Sequence, residues 1–376
     1  MSPNFTTSPT RRRILAGAAA SAAMAAALSS ARAMAATARI PFGSAVMISD
    51  FRSDAALRAV LAAQCDVITP MNELKWDWVR RNRETYDFDH AEEIIAFARK
   101  NGKAVHGHPL LWGLFLPRWV EGLSSAREAE RELRTHVETM AARFAGRIGS
   151  WDVVNEVIAH EPKPEAPMRD TPWQRLLGEA HVDIAFRTAA AVDPKARLVL
   201  NDYDFENADE RTAERRRQAL RLVRRLQDKK IAVHEVGFQA HLYGEKPIDP
   251  RAITAFCREL GRLGVGVRIT ELDVIDWKLP GKIVERDRMA ADLVASFLGA
   301  VIEGQRPSAI ITWGMSDKSS WVHDTFKRSD RFRGRPLPLD ESYQPKPMMA
   351  AIQAARTRPG PPAPAFPPNA PAGTRG

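Results

Sequence analysis

Two segments of this chain carry a glutamate directly after an apolar run: Trp151-Asp152-Val153-Val154-Asn155-Glu156 and Ile269-Thr270-Glu271-Leu272-Asp273. Two carboxyl groups that meet across a cleft can cleave a glycosidic bond. One protonates the leaving oxygen while the other attacks the anomeric carbon or activates water. Sharing a cleft also pushes their ionisation apart, so that one keeps its proton where the other has lost it. Either glutamate alone reads equally well as a strand-end acid paired with Lys or Arg. The two together, with an asparagine immediately before the first, point to chemistry.

Such groups need a frame that brings distant segments to one place. Short β-rich runs recur at Ala45–Ile48, Asp66–Thr69, Ala104–His106, Trp151–Asn155, Leu198–Asn201, Glu235–Gln239, Val267–Thr270 and Ile310–Trp313. Amphipathic helix-length segments separate them, near 54–64, 89–101, 126–145, 173–192, 209–229, 250–263 and 285–304, with a last one near 342–355. Strands alternating with helices predict parallel βαβ units. Eight units in this length fit an α/β fold of the (β/α)8 TIM barrel type, as a single catalytic domain over 36–355. Nearly every strand ends in groups that chemistry uses: Asn72-Glu73 and Lys75, His106 and His108, Asn155-Glu156, Asn201-Asp202, Gln239 and His241, Glu271 and Asp273, Trp313. Polar groups are costly inside a barrel, whereas its C-terminal rim is where barrel enzymes keep their sites.

These motifs resemble those of the glycoside hydrolase family 10 endo-β-1,4-xylanases, and the similarity runs from about Phe42 to Ile352. The resemblance implies a retaining endo-1,4-β-xylanase that takes β-1,4-xylan or xylo-oligosaccharides and uses no cofactor and no metal. It implies that Glu156 is the acid/base and Glu271 the nucleophile, and that Asn155 holds a sugar hydroxyl. His241, in Phe238-Gln239-Ala240-His241-Leu242, matches the histidine that bonds the nucleophile, Asp273 its partner, and Gln239 a residue beside the acid/base. Thr69-Pro70-Met71-Asn72-Glu73-Leu74-Lys75-Trp76 matches the glycone-side strand, which implies sugar contacts for Asn72, Glu73 and Lys75. His108 and Trp112 match the third-strand motif, Trp313 and Trp321 two aromatic residues that enclose the sugar, and Tyr343-Gln344-Pro345-Lys346-Pro347 a closing segment. The family has a second histidine where Gly113 stands and a glutamine where Phe115 stands, so the glycone subsites are expected to differ here.

Two other readings compete. His106-Gly107-His108 could be a metal-ligand pair of the amidohydrolase kind, but it falls on the third strand, and no lysine, histidine and aspartate ligand set follows at later strand ends. A sugar-binding barrel without catalysis could use Trp112, Trp313 and Trp321, yet it would be expected to lose one glutamate. No Gly-rich dinucleotide fingerprint follows a strand, and no Cys/His cluster has zinc spacing. Cys65 and Cys257 lie too far apart in sequence to suggest a disulfide framework.

The two ends differ from the body. Arg11-Arg12-Arg13, an alanine-rich apolar run and Ala-x-Ala sites near 31–35 have the layout of a cleaved export signal over 1–35, resembling the twin-arginine type. A periplasmic or secreted protein is expected, with no membrane attachment after cleavage. Residues 356–376 form a Pro/Ala/Gly-rich tail for which disorder is expected. Residues 1–35 hold four arginines and residues 356–376 three, with no acid in either, so only +2 of the formal +9 belongs to the body. That leaves no electrostatic footprint for nucleic acid. The run around Arg215-Arg216-Arg217 and Arg224-Arg225 has Ala219, Leu220, Val223 and Leu226 at helical spacing, which predicts a solvated helix face for the arginines.

Overall fold

The structure is a computed structural model in which residues 39–366 are described; the export signal expected over 1–35 lies outside them. Eight parallel strands form the barrel: β1 (Phe42–Val46), β2 (Val67–Pro70), β3 (Ala104–Gly107), β4 (Ser150–Asn155), β5 (Arg197–Asp202), β6 (Glu235–Phe238), β7 (Gly266–Ile275) and β8 (Ile310–Thr312). Each pairs with the next, and β8 returns to β1 with Ile310 opposite Phe42, so no barrel edge is left open. Closure explains why the strands read as apolar runs without alternation. One face fills the barrel and the other meets the helices.

The helices that follow are α1 (Ala55–Gln64), α2 (Asp89–Lys100), α3 (Ala126–Phe144), α4 (Ala180–Val192), α5 (Glu210–Asp228), α6 (Pro250–Arg262), α7 (Ile283–Gly304) and α8 (Pro347–Thr357). Their starts are written in the sequence. Asp54, Ser125, Asp209 and Asp249 each accept a main-chain N–H of the first turn, and Pro250 and Pro347 occupy first-turn positions where a proline's missing N–H costs nothing. The single helix expected over 173–192 is two pieces, Pro172–Leu177 and α4, because the chain turns at Gly178 with φ 56°. A hairpin, Ile158–Lys163 with Ala166–Met168, projects beyond β4 and was not evident from the strand pattern.

Two expectations need correction. The arginines of α5 do not share a solvated face. Arg217 and Arg224 are exposed and ion-paired, whereas Arg215 and Arg216 are buried. Arg215 lies against Asp202 and donates to the carbonyls of Ala159 and Tyr203, so the helix uses its guanidinium to tie the hairpin to β5. A guanidinium can be buried this way when carbonyl and carboxylate acceptors surround it.

The tail expected to be disordered over 356–376 is packed as far as 366, and its residues 367–376 lie outside the described ones. α8 runs on to Thr357, and Arg356 is buried, donating to Ile40 O and pairing with Asp66. Further on, the Arg306 N–H donates to Pro361 O, and the Phe366 ring lies edge-on to His234 beneath the Arg197 guanidinium. A composition poor in apolar residues missed these anchors because single residues supply them.

Candidate active site

The C-terminal ends of the strands converge on a cleft of about 950 Å³. Three of the residues that turn the chain out of these ends are non-glycine residues with positive φ: Glu156 (53°), Asp204 (55°) and Ala240 (61°). Such conformations cost of order 1–3 kcal/mol and persist where the surroundings over-determine them. Here the side chains of Glu156 and Asp204 line the cleft, and Ala240 turns the chain between Gln239 and His241, which line it too.

Glu271, on β7, is the most constrained of these groups. Its Oε1 accepts from Asn201 Nδ2 at 2.7 Å, and its Oε2 lies 3.4 Å from His241 Nε2. Asn201, at the end of β5, is itself oriented. Thr270 Oγ1 donates to its Oδ1 at 2.7 Å, and a Cβ at Gly237 would sit 2.3 Å from that oxygen, so glycine is required there. His241 Nδ1 is 2.9 Å from Asp273 Oδ1, while Asp273 Oδ2 accepts from Trp321 Nε1 at 2.7 Å. Burial opposes charging this imidazole, but Asp273 and Glu271 outweigh it and hold His241 protonated well above the usual histidine range. Burial would likewise raise Glu271. The His108 and His241 rings outweigh it and hold the carboxyl below the usual glutamate range.

Glu156 sits in a different environment. Its Oε1 accepts from Gln239 Nε2 at 3.1 Å, and its Oε2 lies 3.2 Å from Arg169 Nη2. Asn155 Oδ1 accepts from both Gln239 and Asn201, which leaves its amide nitrogen as the donor available to the cleft. Through Gln239, Asn155 and Asn201 a continuous line of hydrogen bonds joins the two glutamates.

On the glycone side, Lys75 Nζ donates to Asn72 Oδ1 at 2.6 Å and lies over the rings of Trp112 (4.9 Å), Phe115 (5.7 Å) and Trp313 (6.0 Å). Burial pulls Lys75 below the usual lysine range, against the opposing charges of Glu271 and Glu156. Glu73 is placed differently from the expectation of a sugar contact. It is buried away from the cleft lining, and its oxygens accept from the N–H groups of Ile48 and Asn72, so it shapes the loop that presents Asn72 and Lys75.

The departures around Trp112 have physical counterparts. A Cβ at Gly113 would lie 2.2 Å from Thr171 Cγ2, so Thr171 fills the space next to this position. Phe115, with φ 50° and 64% exposed, lays its ring beside Trp112 at 5.2 Å.

The His-x-His pair serves hydrogen bonding. His106 Nδ1 meets Ser150 Oγ at 2.8 Å, and His108 Nδ1 meets Asp152 Oδ2 at 2.8 Å. Among the described residues, His108, Asp152 and Glu271 bring possible metal-ligand atoms within 4.8 Å of one another. Those atoms are already engaged, however: His108 Nδ1 faces Asp152, and Glu271 Oε1 holds Asn201. A cation there would disrupt the groups that orient Glu271.

Asp152, Asn201, Tyr203 and Arg169 belong to the site as well. Asp152 could have been found as a charge inside an apolar strand; Asn201 stands among the strand-end groups of the sequence, but without an assigned role. Arg169 follows the hairpin, and no spacing rule points to it.

A family model described as glycosyl hydrolase family 10 matches residues 30–355. The chain is 33% identical over 300 residues to endo-1,4-beta-xylanase B of Thermotoga neapolitana, covering 78% of this chain and 81% of that one. It is 31% identical to a beta-1,4-xylanase of Dictyoglomus thermophilum, covering 74% and 78%. Among solved structures, xylanase 10B from Thermotoga petrophila RKU-1 in complex with xylobiose superimposes with a TM-score of 0.76 at 29% identity, covering 85% of this chain and 94% of that one. Native xylanase 10B from Thermotoga maritima gives 0.75 at 30% identity, covering 86% and 97%.

Proposed function

The chain belongs to glycosyl hydrolase family 10, and from that premise we propose that Glu271 is the nucleophile and Glu156 the acid/base of its reaction. The activity is that of a retaining endo-1,4-β-xylanase, a glycosidase cutting internal xylosidic bonds. The observation that carries the assignment of roles is the unequal treatment of the two carboxyl groups. Glu271 is buried, held at both oxygens and kept ionised, as a nucleophile must be. Glu156 lines the same cleft, is less deeply buried and lies beside the Arg169 guanidinium, where it can reach the leaving oxygen and afterwards a water molecule.

In the first half of the reaction the Glu271 carboxylate attacks the anomeric carbon, the bond to the leaving sugar breaks, and the Glu156 proton goes to its oxygen. In the second half Glu156 takes a proton from water, which attacks the same carbon and frees Glu271. Asn155 donates its amide hydrogens to a hydroxyl of the reacting sugar. Lys75, Asn72, Trp112 and Trp313 hold the glycone side, and Trp321 covers the sugar from the side of His241. The substrate class is xylan and its oligosaccharides. Incubation with a 2-deoxy-2-fluoro xylobioside followed by peptide mapping tests the roles. The label belongs on Glu271, and a label on Glu156 or no covalent adduct rejects the assignment.

The export layout of residues 1–35 supports action in the periplasm or outside the cell. Changing Arg11 and Arg12 to Lys then leaves unprocessed precursor in the cytoplasm, and normal processing of that variant refutes the twin-arginine reading.

A further inference from the structure

Glu156 is held by one side chain at two points. Arg169 Nε donates to the Glu156 main-chain carbonyl at 2.9 Å, and its Nη2 lies 3.2 Å from the Glu156 carboxylate. The same Nη2 donates to Tyr203 Oη at 2.7 Å, which fixes the guanidinium from the β5 side. The arginine's own N–H donates to Val157 O at 2.8 Å, so its backbone is docked immediately beyond the glutamate. Glu156 meanwhile has φ 53°, a left-handed conformation that an L-residue with a side chain adopts at a cost. Its N–H is tied to Asn201 O at 2.9 Å, and Arg169 ties its carbonyl. The main chain on both sides of the strained residue is therefore anchored, and the planar fork of arginine can grip a carbonyl and a carboxylate together where lysine cannot.

We propose that Arg169 is a positioning residue for the acid/base: it locks Glu156 in its left-handed conformation and supplies a cationic donor to the carboxylate that forms when Glu156 gives up its proton. The inference rests on the assignment of Glu156 as acid/base. When the proton moves to the leaving oxygen, negative charge develops on a carboxylate that already faces Nη2, so no donor has to reorganise. The same contact holds the carboxylate ready as base for the second half. The effect of Arg169 is thus confined to steps in which Glu156 moves a proton.

Glu156→Ala, Arg169→Met, Arg169→Lys and Tyr203→Phe are compared with the unaltered protein on xylan and on a 2,4-dinitrophenyl xylobioside, whose leaving group needs no protonation. Arg169→Met is expected to lower kcat/KM on xylan by about a hundredfold, of the order seen when one preorganised donor is lost. On the aryl glycoside kcat/KM should hold within a few-fold, and added azide should raise kcat. Arg169→Lys keeps the charge without the fork and should fall between the two. Tyr203→Phe, which frees the guanidinium without altering it, should show the same selective pattern more weakly and carries the test if Arg169→Met does not fold. Equal losses on both substrates, or no loss on xylan, overturn the proposal. If Glu156→Ala itself fails to discriminate the substrates, the assignment of Glu156 fails instead.

Discussion

His241 stands between two carboxylates, with Nδ1 2.9 Å from Asp273 Oδ1 and Nε2 3.4 Å from Glu271 Oε2. Burial disfavours its charge, but the two acids outweigh that and keep it protonated; the imidazolium in turn, with His108, keeps Glu271 ionised against its own burial. A carboxyl whose pKa is depressed stays anionic as pH falls, until the lowered value is reached. The acidic limb of kcat/KM, which reports the free enzyme, should therefore lie below the ordinary glutamate value of about 4.3. His241→Asn removes a cation and should move that limb to higher pH. A limb that stays in place or moves down contradicts the pairing.

Thr171 and Gly113 form a second coupled pair. Thr171 Oγ1 caps the helix Pro172–Leu177, and its methyl fills the space where a Gly113 Cβ would fall. Gly113→Ala should destabilise the protein by about 1–3 kcal/mol through overpacking. Thr171→Ser keeps the capping hydroxyl and removes the methyl, so the double variant should recover most of that loss. Additive effects in a denaturant double-mutant cycle would show that the two side chains do not compete for this space.

Phe115 presents a ring to solvent beside Trp112 and Lys75 where the family has a glutamine. An exposed aromatic held in a left-handed backbone conformation on the cleft wall fits a stacking surface for a glycone sugar. Phe115→Gln should raise KM for xylotetraose about threefold to tenfold, equivalent to about 0.5–1.5 kcal/mol of stacking, with kcat unchanged because ground state and transition state lose it equally. A lower kcat at constant KM would place Phe115 in the chemical step.

The barrel was legible because its strands are apolar runs, nearly all of them stopped by a residue that does not belong in a core. Glu156, Gln239, His241 and Glu271 were found by that rule. Asn201 obeyed it too, but its role depends on the missing Cβ of Gly237 and the hydroxyl of Thr270, which only the folded chain brings together. Glu73 followed the rule and yet turned inward, because the amides of Ile48 and Asn72 satisfy it there. Arg215 was misread because helical periodicity gives the apolar stripe and cannot show that hairpin carbonyls await a guanidinium at its edge. Arg169 was invisible for the same reason: its partners are a strained carbonyl and a tyrosine just beyond the end of β5.

The division of labour between the glutamates is tested most directly by azide rescue with analysis of the product anomer. Glu156→Ala on a 2,4-dinitrophenyl xylobioside should still form the glycosyl-enzyme, then stall without its base. Azide needs no base and should restore turnover, giving the β-glycosyl azide because the intermediate on Glu271 has inverted configuration. Glu271→Ala should be inactive on xylan and, with azide, give the α-glycosyl azide by a single displacement. An α-azide from Glu156→Ala, or wild-type xylan hydrolysis by either variant, would contradict the account.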